Sequence, residues 1–340
     1  MAKNELTTLA TIQRAKETPL SQQLIDDVAY TAPFLNRMPS RVISGTTFKN
    51  RRLKSFPKFG PRKLNSGVNS TVSRYEIINS ECFPYQGLIL IDEMVALADG
   101  RGKAAAMTEE ARNHLRGANV ALEQAVIYGT KLGLENGTPG LIDGIGDYMT
   151  ISADSAHNTE TTKQKGGSSV WALNLRRDQM NVIYGNEQGI RISPESRQLV
   201  NIDGKSMPAI YRDVHAWVGL EVLTSYAVAR LVNVTPTTPV TDDLLASMKA
   251  LFPANQGPTV FLMNSMALES LRKSRSAALD YIKGTSGTTT TAPTPTESGG
   301  VEIIVTDSII DDETDANIKA LGKEVEVTLK QNTGVIKNLK

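Results

Sequence analysis

The side chains able to do chemistry in this sequence are few and scattered. Cys82 is the only cysteine, so it can form no disulfide within the chain, and one thiolate cannot by itself build a cysteine metal site. It falls in a run that reads as a strand, with no neighbouring base to take its proton, which argues for a structural thiol rather than a nucleophile. His114, His157 and His215 are the only histidines. No two are close in sequence, and none stands with a carboxylate at metal-ligand spacing. Paired acids occur at Glu109 and Glu110 and at Asp242 and Asp243, where the positive end of a helix accounts for them without acid–base catalysis. Gly140 to Gly146 holds closely spaced glycines, but no Gly-Lys-Ser or Gly-Lys-Thr follows and no clear strand and helix flank it, so it reads as a turn. No Gly-x-Ser-x-Gly elbow occurs. The expectation is a protein that is not an enzyme, with no catalytic residue, no cofactor and no metal site.

The sharp signal is electrostatic. From Thr46 to Tyr75 the chain has no acid, yet it carries Lys49, Arg51, Arg52, Lys54, Lys58, Arg62, Lys63 and Arg74. Phe48, Phe56 and Phe59 interleave with these cations. Such a run suits phosphates and stacked bases, and it equally suits an acidic protein surface with pockets for aromatic anchors. A solvated face is the bland reading. Globally the chain is near neutral, with 37 basic and 36 acidic residues and a formal charge of +1. No overall field draws it to nucleic acid or an anionic membrane, and a dedicated DNA-condensing protein would be far more basic.

The elements that must position this run can be read from periodicity. At 340 residues, 40% apolar and 21% charged, the chain is long enough to bury a large core and too apolar for general disorder. Met1 to Arg14 lacks the apolar core of a signal peptide, and no run approaches the roughly 18 apolar residues of a membrane span. Up to about Gly45 a helical patch at Leu20, Leu24 and Val28 is interrupted by Pro19, Pro33 and Pro39, which predicts an extended arm with one short helix. Thr47–Phe56 and Thr71–Pro84 read as strands around a bend rich in Pro, Gly, Asn and Ser from Pro57 to Ser70. Together they make a long hairpin, which is marginal in isolation and must rest on something.

From Lys103, apolar residues at Met107, Ala111, Leu115, Ala118, Leu122 and Val126 define one face of a helix that stops at Gly129, roughly 40 Å long. Glu109 and Glu110 are expected to serve its first turns. Gly133 to Gly167 reads as loops with short strands. Strands are expected at Val170–Leu175, Gln179–Tyr184, Ile190–Ile192, Ile210–Leu223 and Ala227–Val234. Thr241 is placed to cap a helix with Leu244, Leu245, Met248 and Leu251 inward. A buried strand at Thr259–Met263 and a helix from about Asn264 follow. Gly284 to Gly300 is low in complexity and reads as a mobile loop, before a strand at Val301–Thr306. The alternation at Val325, Val327 and Leu329 suits a strand of unassigned sheet.

In this order, the elements and several phrases resemble the major capsid proteins of tailed bacteriophages, with the fold named Hong Kong ninety-seven. The phrases are Leu6–Ile12, Ala121–Thr130, Gly140–Ile145, Val170–Ile190, His215–Val234, Pro258–Leu271 and Val301–Ile309, and the likeness spans nearly the whole chain. It implies an α+β fold with an N-terminal arm over 1–45, an extended β-hairpin loop over 46–90, and a peripheral domain with a long spine helix over 91–132. Residues 133–205 and 239–310 would form the axial domain, 206–238 the long peripheral strands, and 311–340 a return to the peripheral domain and a tail.

The implied function is self-assembly into the pentamers and hexamers of an icosahedral head enclosing double-stranded DNA, as a virion component assembled in the host cytoplasm. The implied partners are other copies of the chain, a separate scaffolding protein, a portal protein at one vertex, packaged DNA held without sequence-specific contact, and a possible decoration protein, with no membrane. Lys49, Arg51, Arg52, Lys54, Phe56, Lys58, Arg62 and Lys63 are the candidate contacts between subunits. The lysine–asparagine cross-link of some relatives is not carried over, since no asparagine is placed beside a hairpin lysine. The alternatives are a soluble DNA-binding protein using the basic hairpin over residues 49–63, tested by salt-dependent filter binding, and an enzyme with an unrecognised site.

Overall fold

A computed structural model describes residues 32–98, 102–134, 137–154, 166–187, 189–202, 205–283 and 291–323. The expected helix at Leu20–Val28, His157 and the strand at Val325–Leu329 lie outside the described residues. In chain order the elements are α1 (Pro33–Arg37), β1 (Ser40–Val42), β2 (Thr47–Ser55), β3 (Arg74–Glu81), β4 (Phe83–Asp92), α2 (Glu93–Ala98), α3 (Lys103–Tyr128) and α4 (Leu141–Gly144). Then come β5 (Thr150–Ser152), β6 (Ser168–Leu173), β7 (Met180–Tyr184), β8 (Arg191–Ile192), β9 (Ser196–Ile202), β10 (Lys205–Val222) and β11 (Val228–Val234). The last are α5 (Asp242–Ala250), β12 (Val260–Met263), α6 (Ser265–Lys283), β13 (Glu297–Ser298), β14 (Val301–Val305) and a helix α7 over 315–323.

Two six-stranded sheets form the body. The first runs β1-β7-β10-β4, with β8 and β9 also on β10; the second runs β13-β14-β12-β6-β11-β5. The 18-residue β10 organises the first sheet, pairing antiparallel with β4 from Ala209↔Asp92 to Val218↔Phe83. In the second sheet every residue of β6, β11 and β12 is buried, as expected of strands covered on both faces.

Helix α3 ties the sheets together. Its first half sets Met107 and Ala111 against Ile89 and Ile91 of β4 and Ile210 and Val214 of β10. Its second half sets Leu122, Ala125 and Val126 into a cluster shared by Trp171 and Leu173 of one sheet and Val182 and Val218 of the other. Gly129 ends the helix at φ +51°, and a Cβ there would lie 2.0 Å from the Gly140 nitrogen, so the loop returns against this glycine's bare backbone. Helices α5 and α6 pack Leu245, Met248, Ala267 and Leu271 onto the second sheet. Thr241 caps α5 by accepting from the Leu244 N–H at 3.2 Å, and Asn264 caps α6 by accepting from the Ala267 N–H at 2.9 Å.

Several expectations are corrected here. Glu109 and Glu110 do not serve the helix start, because α3 begins at Lys103 and has no acid in its first turn. The strand expected over Thr71–Pro84 is two strands that part at Cys82: β3 pairs with β2, while β4 joins the body sheet. The Cys82 N–H donates to the Thr46 carbonyl at 2.8 Å, which pins the switch. The strands grouped over 206–238 divide between the two sheets at the turn 224–226. The described end of the arm, residues 32–45, lies on its own body: Phe34 is fully buried, and β1 pairs parallel with β7. In the expected loop 284–300, residues 291–300 are anchored, with Ala292 buried and β13 paired to β14. Gly140–Gly146 contains a short helix rather than a plain turn.

Candidate functional site: a projecting basic hairpin

The hairpin of β2 and β3 is rooted in the body by three contacts. Phe48 lies beneath the Arg41 guanidinium, 4.2 Å from ring centre to Cζ, and packs with Ile43, Cys82 and Ile183. Asn50 Nδ2 donates to Glu221, a fully buried carboxylate that also accepts from Asn181 Nδ2 at 2.8 Å. Arg52 Nη1 donates to Ser225 Oγ at 3.2 Å. Gly219 makes the close approach possible, since a Cβ there would meet the Glu81 carbonyl oxygen at 2.2 Å. Burial pushes the Cys82 thiol up to about 11, so it is held as an unreactive thiol at neutral pH.

Beyond the root, the first acid after the basic run becomes the hairpin's internal counter-charge. Glu76 accepts from Arg52 at 2.9 Å and stands 3.8 Å from Lys54. The Arg52 hydrogen bond, then the Lys54 charge, holds the Glu76 carboxyl below its usual range. Arg51 stacks on Tyr75 at 3.7 Å. Residues 56–73 carry no regular structure and leave the body altogether: Phe56 is 80%, Phe59 104% and Leu64 90% exposed. Lys58, Arg62 and Lys63 are exposed among them. The candidate residues are thus brought onto one projection but do not act alike. Arg52 and Lys54 are partly engaged by Glu76, whereas Phe56, Lys58, Arg62 and Lys63 face solvent.

His114, His215 and Asp242 have structural partners. His215 Nδ1 is 2.7 Å from Asp213, and His114 Nδ1 is 2.9 Å from the Glu110 carbonyl. Asp242 receives both a two-pronged Arg275 contact at 2.7 and 2.8 Å and the Ser298 hydroxyl, and the Arg275 hydrogen bond holds its carboxyl below the usual range. Among the described residues no group of three or more His, Cys, Asp or Glu side chains could hold a metal, and no helix is long and apolar enough to cross a membrane.

Sequence reasoning missed the buried polar ties. Glu313 accepts from Tyr128 Oη and Ser169 Oγ at 2.8 Å and from Arg230 at 2.6 Å, and Arg230 also lies over Trp171. Glu123, fully buried on α3, accepts from the Leu35 N–H at 3.0 Å and from the Thr306 hydroxyl. Burial raises the Glu123 carboxyl above its usual range despite these donors. Glu123 has a local signal, an acid within an otherwise apolar helix face, whereas Glu313 stands among Asp311, Asp312 and Asp315 and nothing local singles it out.

A chain of the near-atomic structure of bacteriophage Epsilon15 matches this fold with a TM-score of 0.65 at 16% identity, covering 90% of this chain and 96% of that one. The bacteriophage JBD30 capsid gives 0.45 at 10% identity over 86% and 98%. The holo-SrpI encapsulin complex of Synechococcus elongatus gives 0.44 at 13% identity over 68% and 96%. No curated protein sequence matches the chain. Two sheets bridged by a spine helix, with a long two-stranded projection, define a capsid subunit of the Hong Kong ninety-seven fold. The family model for Major capsid protein GP7 matches residues 22–317, and the chain belongs to that family. It is a tailed-phage major capsid protein, a shell-forming component of the virion.

Proposed function

We propose that the chain forms pentamers and hexamers that close into an icosahedral head around double-stranded DNA, each hairpin lying on an adjacent subunit. The contacts are Lys49, Arg51, Arg52, Lys54, Phe56, Lys58, Arg62 and Lys63. One observation carries this reading: Phe56 and Phe59 stand 80% and 104% exposed between cations, with none of the described residues of their own chain covering them. Aromatic groups in a charged setting are typical anchors between proteins, and a repeated shell multiplies each modest contact. The first sheet with α3 serves as the peripheral domain, and the second sheet with α5 and α6 as the axial domain. The chain acts by binding rather than catalysis. Assembly takes place in the host cytoplasm with a separate scaffolding protein, a portal protein at one vertex, packaged DNA without sequence-specific contact, and a decoration protein where one is present. The test is charge reversal of Arg51, Lys58 and Lys63 to Glu, followed by electron microscopy across a salt series. Loss or altered salt dependence of shells is expected. Unchanged assembly at every salt concentration would remove the hairpin from the interface.

A further inference from the structure

Two tyrosines stand exposed on the body, and the packing around them fixes both rings. Tyr148 lies in the short 3-10 turn Asp147–Met149, next to Met149, which is buried in the core of the second sheet. Tyr226 lies in the turn 224–226, between the fully buried Ala227 and Ser225, the residue that Arg52 of the hairpin reaches. A Cβ at Gly146 would come within 2.5 Å of the Tyr148 ring, so the ring folds back over bare backbone there. The two ring centres are 6.3 Å apart and the planes are inclined by 70°, a favourable edge-to-face arrangement. Yet the rings remain 59% and 44% exposed. They are held in place while contributing little to the core.

The corner between these rings has the chemistry to hold a cation. The faces of aromatic rings carry partial negative charge. Asp147 adds a full charge, and its exposed carboxylate has no hydrogen-bond or ion-pair partner among the described residues. A carboxylate repels phosphate, which sets this place apart from a nucleic-acid contact. The cations that lie over rings among the described residues are Arg41 on Phe48, Arg51 on Tyr75 and Arg230 on Trp171, so neither tyrosine of the pair is filled by its own chain.

The projection carries the matching groups. Lys58 and Lys63 are exposed, and their ammonium groups have no carboxylate among the described residues. Lys58 also stands between the exposed rings of Phe56 and Phe59. A flat guanidinium is best served by one parallel ring face, as Arg51 is on Tyr75 at 3.7 Å, whereas a compact ammonium fits a corner between two inclined rings. We propose that Tyr148, Tyr226 and Asp147 form a cation-binding cradle that receives Lys58 or Lys63 from the hairpin of a second copy. Residues 56–73 leave their own body, so the occupant comes from another chain. Cradle and lysine are different surfaces of one chain, so each copy gives a lysine to the next and offers a cradle to the one before, the head-to-tail contact from which rings close. The inference rests on the reading that the hairpin lies on an adjacent subunit, and it names what the tip meets there.

Zero-length carbodiimide coupling, which joins a carboxylate to an amine in direct contact, tests this on unaltered protein in shells assembled from mixed light and heavy isotope-labelled chains. A mixed-isotope link between Asp147 and Lys58 or Lys63 is the expected result. Mixed-isotope links from these lysines only to other carboxylates would overturn the cradle while the hairpin contact stands. Asp147 links of a single isotope only would overturn the second copy as the occupant. If the hairpin forms no mixed-isotope link at all, the hairpin contact fails, and the cradle fails with it. A second measurement isolates the rings. Tyr148→Leu should raise the protein concentration at which shells form by about two- to fivefold, Tyr148→Phe should restore it, and neither should move the urea midpoint of the free subunit. An unchanged threshold for Tyr148→Leu would overturn the part assigned to the rings.

Discussion

Replacing Phe59 with alanine should separate the stability of the subunit from the strength of the shell. Phe59 is 104% exposed and touches nothing that holds its own body together, so the free subunit should change by less than about 0.5 kcal/mol, as for surface substitutions generally. Burying a phenylalanine fully is worth about 1.5–3 kcal/mol, so one that is half to wholly covered by a neighbour supplies about 1–3 kcal/mol per hairpin contact. At about 1.4 kcal/mol per factor of ten, Phe59→Ala should raise the concentration at which shells form by about five- to hundredfold. Light scattering against protein concentration measures that threshold, and urea unfolding of the free subunit measures the other quantity. Phe48 is the internal contrast, because its ring packs on the body beneath Arg41; Phe48→Ala should lower the urea midpoint directly. An unchanged assembly threshold for Phe59→Ala, or a loss of subunit stability matching that of Phe48→Ala, would refute the reasoning.

The buried ties give further expectations. Glu313→Leu removes the carboxylate paired with Arg230, whose side chain is 7% exposed, and breaking such a buried pair should cost about 3–5 kcal/mol; a urea midpoint shift equivalent to less than about 1 kcal/mol would count against it. Glu221→Ala takes away the acceptor of Asn50 and Asn181 and should cost about 1–3 kcal/mol, with faster backbone amide exchange in β2 that leaves α6 unaffected. Asp242 has a folded pKa lowered from 3.8 by the Arg275 hydrogen bond. Its contribution is therefore present above the unfolded value and is lost as pH falls through the lower folded value. Asp242→Asn should be less stable than the wild type at pH 7 and converge with it in acid, and a gap that persisted below the folded pKa would contradict the assignment.

Local pattern decided the elements of this protein. Helix α3 was legible because a helix repeats every 3.6 residues and Gly129 ends it where the left-handed backbone is needed. The cap at Thr241 and the buried strand β12 were legible for similarly local reasons. The basic hairpin could be read from composition alone, since thirty residues without an acid are unusual whatever they touch. Order along the chain then pointed to the family.

Tertiary structure alone decided how these elements are shared out. Nothing local in the strand text before and after Cys82 says that one half belongs to the projection and the other to the body, because a ladder depends on a partner far away in sequence. Likewise β10 and β11 are neighbours in the chain yet lie in different sheets. The clamp that aims the hairpin is the strongest case: Asn50 and Glu221 are 171 residues apart, and an acid in an apolar strand looks like a flaw until its donors arrive. Periodicity tells which face a residue occupies, whereas only the folded chain brings a buried charge the hydrogen bonds that make its burial tolerable.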